Sequence, residues 1–231
     1  MVSMLAYPRM LRFAKRHNIV DNPNARKLQR VPVPVMGGLV VFLGILSGVL
    51  VLSAFVQEAM VMWGLGGMSV MLIIGMWDDM VSLSASFRFV LEVILVGVII
   101  WQTGIYIDDF HGLWGIHSIE PWLAYTLSII VGVGMINVMN MIDGVDGYSS
   151  GFGVLASVCF AMLFMNVWST VMVSLAVIVV GALLPFFMHN VFGIRSKMFI
   201  GDGGTMMLGM LMVGFGVYAL SSKGRCACLE A

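Results

Sequence analysis

Four short polar clusters interrupt a chain that is otherwise strongly apolar, and each contains residues able to bind metal ions or phosphate groups. They are DNPNARK at 21–27, WDD at 77–79, NMIDGVDG at 140–147 and FIGDGG at 199–204. Carboxylate and amide oxygens are ligands that suit Mg²⁺, while arginine, lysine and the first N–H groups of a helix suit phosphate. These residue types favour a site for a divalent cation and a phosphorylated molecule.

The second cluster contains two adjacent carboxylates, Asp78 and Asp79, at the end of an apolar run. Two neighbouring carboxylates resist joint ionisation unless a cation or a basic group lies close to them. The pair is therefore a candidate for Mg²⁺ binding or for action on a bound phosphate. The alternative interpretation is a solvated helix end.

The third cluster, together with Asn137 just before it, has polar residues at every third position, namely Asn137, Asn140, Asp143 and Asp146. Steps of three residues turn about 300° around a helix, so the first three share one face. Asp146 would point away from that face unless the glycines in the stretch bend the backbone. Such a turn could hold a nucleotide or a hydrated metal. The alternative is a glycine-capped helix end, although acidic residues at a helix C-terminus oppose the helix dipole.

The remaining clusters supply one carboxylate and several cations. Asp202 stands between glycines at the head of an apolar run, where it could hold a metal or, alternatively, cap the helix. Arg26 and Lys27 lie in a proline-containing segment and suit phosphate binding; ordinary positive charge beside a membrane is the alternative.

The elements that must position these clusters are membrane helices. The chain has 231 residues, of which 60% are apolar and 10% charged, and its net charge is zero. Soluble domains are nearer a quarter charged, so the composition indicates an integral membrane protein. Because the net charge is zero, overall charge gives no support for nucleic-acid binding.

Seven apolar runs approach the roughly 20 residues that a spanning helix needs, which predicts an all-α polytopic membrane protein. The runs cover about 37–56, 60–77, 87–104, 121–142, 150–167, 170–190 and 205–220. Lysine and arginine are concentrated in alternate connections, so the positive-inside rule places all four polar clusters on the cytoplasmic side. We treat residues 1–231 as one membrane domain, with residues 1–20 as an interfacial segment or the remnant of a first helix. The tail at 221–231 is atypical.

The motifs DNPNARK…PVPVMGG, GMWDD, NVMNMIDGVDG and FIGDGGTMMLG occur here in this order. In that order they resemble the polyprenyl-phosphate N-acetylhexosamine-1-phosphate transferases of glycosyltransferase family 4. The resemblance covers residues 21 to about 210.

The resemblance implies a Mg²⁺-dependent enzyme of the bacterial inner membrane, with Mn²⁺ as the alternative cation. The expected reaction transfers N-acetylhexosamine 1-phosphate, foremost that of GlcNAc, from a UDP-sugar to undecaprenyl phosphate with release of UMP. This would begin a cell-envelope polysaccharide such as lipopolysaccharide or cell-wall polymer.

The resemblance also implies roles for individual residues. Asp78 would deprotonate or position the lipid phosphate with Asp79 as its partner, and Asp202 and Asp143 would bind the metal. Substrate binding is expected of Arg26, Lys27, Asn137, Asn140, Asp143 and Asp146. A phosphate monoester has a second pKa near 6 and is largely dianionic at neutral pH, so positioning and charge neutralisation are the favoured roles over an obligatory base.

Three departures from the family pattern keep alternatives open. Gln29 stands where many relatives have histidine, most of the family's first helix is absent before residue 17, and the chain stops shortly after the seventh run, where relatives continue with further helices and a histidine-rich loop. An inactive or incomplete transferase is therefore one alternative. A membrane transporter is another, although transporters place their carboxylates near mid-membrane. The sugar epimer and the oligomeric state stay open, with a homodimer as one alternative.

Overall fold

The computed structural model describes residues 1–21, 32–56, 59–110, 112, 115, 117–142, 147–167, 169–193 and 197–223. These residues form eight α-helices and one two-stranded antiparallel sheet. The helices are α1 Val2–Arg16, α2 Gly37–Ser53, α3 Ala59–Val81, α4 Ala85–Thr103, α5 Pro121–Met141, α6 Tyr148–Asn166, α7 Thr170–Phe192 and α8 Gly201–Ala219. The strands are β1 Val20–Asp21 and β2 Val33–Pro34.

The helical membrane fold predicted from the sequence is confirmed. Five helices, α3 to α7, are long and apolar enough to cross a membrane, and α2 is apolar but shorter, with 17 residues. Each of the seven apolar runs of the sequence corresponds to one helix, α2 to α8. Since α2 and α8 are not among the five candidate spans, the count of seven spans stays a prediction.

Helix α8 is the centre of the bundle. All of its residues are buried except Asp202, Gly214, Gly216 and Ala219. Helices α2, α3, α5 and α6 pack around it. Between membrane helices the driving force is close packing, which small residues at the interface permit. Gly203, Gly204 and Gly209 of α8 lie against α3, α2 and α5 and allow this close packing.

Hydrogen bonds between segments show which helix ends lie together. At one end, which we call the site end, the N–H groups of Gly37 and Gly38 donate to the carbonyl groups of Phe199 and Ile200 at 2.9 and 2.8 Å. At the opposite end, the far end, the hydroxyl groups of Ser169 and Tyr218 are 3.1 Å apart. The starts of α2 and α8 thus lie at the site end, while α7 begins and α8 finishes at the far end.

The small sheet lies at the site end. Val20 pairs with Pro34 and Asp21 with Val33, and the next residue, Val35, forms a parallel bridge with Phe199. Helix α1 precedes this sheet and packs against α2 and α7, with the Tyr7 ring stacked on His189 at a centroid distance of 4.5 Å. The sheet therefore ties the segment before α2 to the segment before α8.

Candidate active site

Four helix ends meet at the site end and carry the polar residues. They are the last turn of α3, the first turn of α4, the last turn of α5 and the first turn of α8. Apolar spans separate the polar clusters in sequence, and the fold brings described members of three of the four together. The members of the resulting group, which we call the aspartate cluster, are Asp78, Asp79, Arg88, Asn140, Asp202 and Thr205.

Asp78 organises the turn between α3 and α4. Helix α3 stops at Val81, and Ser82 adopts a left-handed φ of 55°, which is uncommon for a residue other than glycine. One carboxylate oxygen of Asp78 accepts the Leu83 N–H at 2.6 Å, and the other accepts a hydrogen bond from the Arg88 guanidinium in an ion pair. Asp78 is only 7% exposed, so the structure places it as a buried and fully anchored carboxylate.

Asp79, although adjacent in sequence, faces a different partner. Its oxygens accept the backbone N–H groups of Asp202 and Gly203 at 3.2 and 3.5 Å. These N–H groups belong to the first turn of α8, which has no side-chain cap from its own N-cap residue, Ile200. Helix N-termini attract negative charge, so Asp79 acts as the cap of α8 from another helix. The alternative that Asp202 caps α8 is not what the structure shows.

Asp202 lies between two polar partners. Asn140 donates one side-chain N–H to Asp202 Oδ1 at 3.1 Å and the other to the Thr205 hydroxyl at 3.1 Å. The Arg88 guanidinium lies 3.8 Å from Asp202 Oδ2. The Asp202 side chain remains 36% exposed, so it is held in place and still accessible. Because both N–H groups of Asn140 are used, its amide oxygen is the atom left to accept a hydrogen bond or to bind a cation.

Asn137 lies one helical turn deeper than Asn140. Its side-chain N–H groups donate to the Glu92 carboxylate on α4 and to the Val133 carbonyl at 2.9 Å. The two asparagines therefore share a helix face, as the sequence predicts, but they contact different partners. Their predicted role in substrate binding stays a prediction.

Four predicted site residues lie outside the described residues: Arg26, Lys27, Asp143 and Asp146. The segments that flank them are described. Asp21 and Val33 pair in the sheet beside the head of α8, and Met141 ends α5 one residue after Asn140. The predicted roles of all four residues stay predictions.

Sequence reasoning missed three members of this region. Arg88 served only as a marker of the cytoplasmic side, while Glu92 and Thr205 were not singled out. Charged residues inside apolar spans are functional candidates by default, and Arg88 and Glu92 stand four residues apart in the run 87–104. That spacing puts both residues on one helix face, so the sequence contained a pattern that could have identified them.

Glycines allow the helices to approach at this end. A Cβ atom on Gly75 of α3 would lie 2.5 Å from the backbone carbonyl of Asp202, and one on Gly38 of α2 would lie 2.5 Å from Gly204. Real Cβ atoms do not come so close to backbone, so side chains at these positions would push α2 or α3 away from α8. The distance between the two Asp-bearing helices thus depends on Gly75.

We expect Gly75→Ala to lower the midpoint of thermal unfolding in detergent, because overpacking a tight contact costs about 1–3 kcal/mol. Gly66→Ala on the same helix is the matched control, since no atom lies within 4 Å of its added Cβ. Alanine is the better helix former, so the control should unfold at the same temperature or higher. Equal midpoints for the two variants would contradict the close approach described here.

The donor atoms of the aspartate cluster suit a hard cation. Two aspartates, Asp78 and Asp202, share one arginine, and the single guanidinium can neutralise only one of them, while Asp79 accepts the backbone N–H of Asp202. Within the described ranges, no group of three or more His, Cys, Asp or Glu side chains is arranged to hold a metal ion. Asp202 offers accessible carboxylate oxygens, and the other predicted ligand, Asp143, lies outside those ranges. The residues present therefore fit a cation that completes its coordination with phosphate oxygens or water.

Comparison with known proteins adds an independent observation. Residues 60–220 match the family described as glycosyl transferase family 4. The chain is 30% identical over 207 residues to the probable undecaprenyl-phosphate N-acetylglucosaminyl 1-phosphate transferase of Bacillus subtilis, covering 89% of this chain and 57% of the relative.

Two further relatives have related names. The undecaprenyl-phosphate alpha-N-acetylglucosaminyl 1-phosphate transferase of Escherichia coli K12 is 31% identical over 209 residues, covering 87% of this chain and 55% of the relative. The decaprenyl-phosphate N-acetylglucosaminephosphotransferase of Mycobacterium tuberculosis CDC 1551 is 28% identical over 216 residues, covering 86% and 53% respectively. The chain thus spans about half the length of the relatives it matches.

Proposed function

The chain belongs to glycosyl transferase family 4, and from this membership we propose that it transfers N-acetylglucosamine 1-phosphate from UDP-N-acetylglucosamine to undecaprenyl phosphate. UMP would be the second product. The observation that carries the proposal is the hydrogen bond of 3.1 Å between Asn140 and Asp202, which joins two sequence motifs 62 residues apart at one end of a membrane bundle. A site at that end can meet a lipid phosphate at the bilayer surface and a water-soluble nucleotide sugar.

The proposed step is an in-line displacement at the sugar-linked phosphorus. A phosphate oxygen of the lipid forms the new P–O bond, and the bond from that phosphorus to the bridging oxygen breaks. The bridging oxygen leaves with UMP. Most catalysis of such transfers is positioning and charge stabilisation, so a rigid polar frame is what the reaction requires.

The described residues would supply that frame. Arg88, between Asp78 and Asp202, offers positive charge to a phosphate group, and Asn140 offers its amide oxygen. Asp202, with Asp143, would hold Mg²⁺, which when bound supplies positive charge to offset the charge of the diphosphate. Arg26 and Lys27 would add contacts to phosphate. Asp79 keeps the head of α8 in place, and with it Asp202.

The proposed location is the bacterial cytoplasmic membrane, with the site end facing the cytoplasm. The three relatives are bacterial, and among the described residues Arg88 and Lys197 lie near the starts of α4 and α8, at the same end as the aspartate cluster. In this proposal the UDP-sugar donor is in the cytoplasm, so the donor and the site would lie in the same compartment.

The test is release of nucleotide by purified protein in lipid nanodiscs. The mixture contains UDP-N-acetylglucosamine, undecaprenyl phosphate and Mg²⁺, and parallel samples omit the lipid phosphate. Lipid-dependent UMP with formation of a polyprenyl-diphospho-sugar is the expected result. UDP in place of UMP would mean ordinary glycosyl transfer and would overturn the proposal. Uptake of UDP-sugar into sealed vesicles without nucleotide release would favour the transporter alternative.

A second measurement separates two roles for Asp78. If Asp78 were an obligatory base, Asp78→Asn would lose activity steeply at pH 6, where about half of the lipid phosphate is protonated, and little at pH 8.5. Because both oxygens of Asp78 already accept hydrogen bonds from Leu83 and Arg88, we expect the loss to be similar at the two pH values. A loss confined to low pH would instead establish the base.

A further inference from the structure

Glu92 is a buried carboxyl group inside the α4 span that the proposed mechanism does not use. It is 1% exposed and lies within the apolar helix α4. On insertion scales a carboxylate at the centre of a spanning helix costs about 2.5–3.5 kcal/mol. Apolar packing between α4 and α5 does not require such a residue, so its presence calls for another explanation.

The contacts of Glu92 join α4 to α5 directly beneath the aspartate cluster. The Asn137 amide donates to its carboxylate, and the second Asn137 N–H is fixed on Val133 at 2.9 Å. Arg88 lies one helical turn above Glu92 on the same face of α4, close enough for an electrostatic interaction. Glu92 is therefore hydrogen-bonded to α5 and lies one turn from Arg88 on its own helix, α4.

Asn137 and Arg88 each connect Glu92 with an aspartate of the aspartate cluster. Asn137 precedes by one turn Asn140, which holds Asp202 at 3.1 Å. Arg88 is ion-paired with Asp78 and lies 3.8 Å from Asp202. In the described part of the chain Glu92 accepts a hydrogen bond from Asn137 and contacts no aspartate through one, so its influence on the reacting groups is indirect.

We propose that Glu92 is a positioning residue that anchors Asn137 and Arg88 and thereby sets the positions of Asp78 and Asp202. The proposal rests on the proposed transferase function. Residues that orient the groups of a reactive site typically contribute about 10- to 100-fold to activity although they do not touch the substrate. A displacement of about 1 Å in a phosphoryl-transfer site is enough to produce such a loss.

The experiment compares Glu92→Gln, which keeps a hydrogen-bond acceptor for Asn137, with Glu92→Leu, which removes it. Ser157→Ala on α6 is the control, because Ser157 is fully buried and its hydroxyl has no hydrogen-bond partner among the described residues. Rates are measured per folded molecule, from the monodisperse fraction, with KM for UDP-N-acetylglucosamine determined for each variant. We expect kcat of Glu92→Leu to fall about 10- to 100-fold, Glu92→Gln to recover most of it, and KM to change little.

A double-variant cycle tests the route through Asn137. If Glu92 acts through that amide, adding Glu92→Leu to Asn137→Ala should cost much less than Glu92→Leu costs alone, because residues that share one contact are not additive. Fully multiplicative losses would exclude this route.

The outcomes distinguish the positioning role from the proposed function. No UMP from the unsubstituted protein with any UDP-N-acetylhexosamine would overturn the proposed function and this inference with it. An active unsubstituted protein whose Glu92 variants keep full kcat per folded molecule, whatever their thermal stability, would overturn the positioning role alone. A loss in Glu92→Leu with recovery in Glu92→Gln supports it.

Discussion

Replacing Asp202 with asparagine is expected to lower the rate of UMP release by at least about 100-fold, which is typical for the loss of one preorganised electrostatic group. The substitution keeps the size of the side chain and leaves an oxygen that can still accept the hydrogen bond from Asn140. It removes the negative charge that faces Arg88 and that would hold the cation. We therefore expect the variant to fold like the unsubstituted protein and to lose activity because the negative charge is missing.

The control for this variant is Asp108→Asn. Asp108 also accepts hydrogen bonds through its carboxylate, from the backbone and hydroxyl of Ser222, but it lies at the far end of the bundle. The two variants are compared by initial rate in the same nanodisc assay, with thermal unfolding recorded for each. Equal rates for Asp202→Asn and Asp108→Asn would place the chemistry elsewhere in the protein.

Arg88→Met is expected to give the largest loss of stability in the bundle. It leaves the Asp78 carboxylate, which is 7% exposed, without its ionic partner. Removing one member of a buried ion pair costs about 3–5 kcal/mol, because the remaining charge is uncompensated. The midpoint of thermal unfolding should fall clearly below that of the unsubstituted protein.

A second substitution identifies the cause of that loss. Adding Asp78→Asn to Arg88→Met removes the unpaired charge, so most of the stability should return while activity does not. The Asp78 side chain keeps its hydrogen bond from Leu83 in this double variant through the amide oxygen. If the double variant were less stable than Arg88→Met alone, the ion pair would not be the source of the effect.

Much of the fold could be predicted from apolar run length. All seven runs became helices, and lysine and arginine counts indicated which helix ends lie together. Which of these helices lies at the centre of the bundle could not be predicted in the same way. Hydropathy does not reveal that α8 is the central helix, because burial against other helices and burial against lipid both select apolar residues.

The candidate site could be predicted as a set of residues but not as a geometry. Asp78 and Asp79 were expected to act as a pair, yet neighbouring residues on a helix point about 100° apart. Asp78 therefore meets Arg88 on α4, whereas Asp79 meets the backbone of α8. No periodicity in the sequence reports a contact between residues 79 and 203, because it depends on how α3 and α8 pack.

Asn137 and Asn140 also show that spacing within one helix does not reveal contacts between helices. Their spacing indicated one face of α5, and both do point toward neighbouring helices at the site end. Their partners, Glu92 and Asp202, come from segments 45 and 62 residues away. A pattern within one helix can identify which face is used, but it does not identify what that face contacts.

The central position of α8 has a consequence for how the protein is made. Helices α1 to α7 leave the ribosome before α8, so α3 and its carboxylates enter the membrane before their α8 partners exist. Until α8 arrives, Asp79 has no N–H groups of Asp202 and Gly203 to accept, and the glycine contacts of α2 and α3 have no counterpart. Helix α8 is not among the five helices that are long and apolar enough to count as spans by themselves. The helices that precede it in the chain provide a protein surface against which it can insert. The packing around α8 and the arrangement of the aspartate cluster thus form in the same step of biosynthesis.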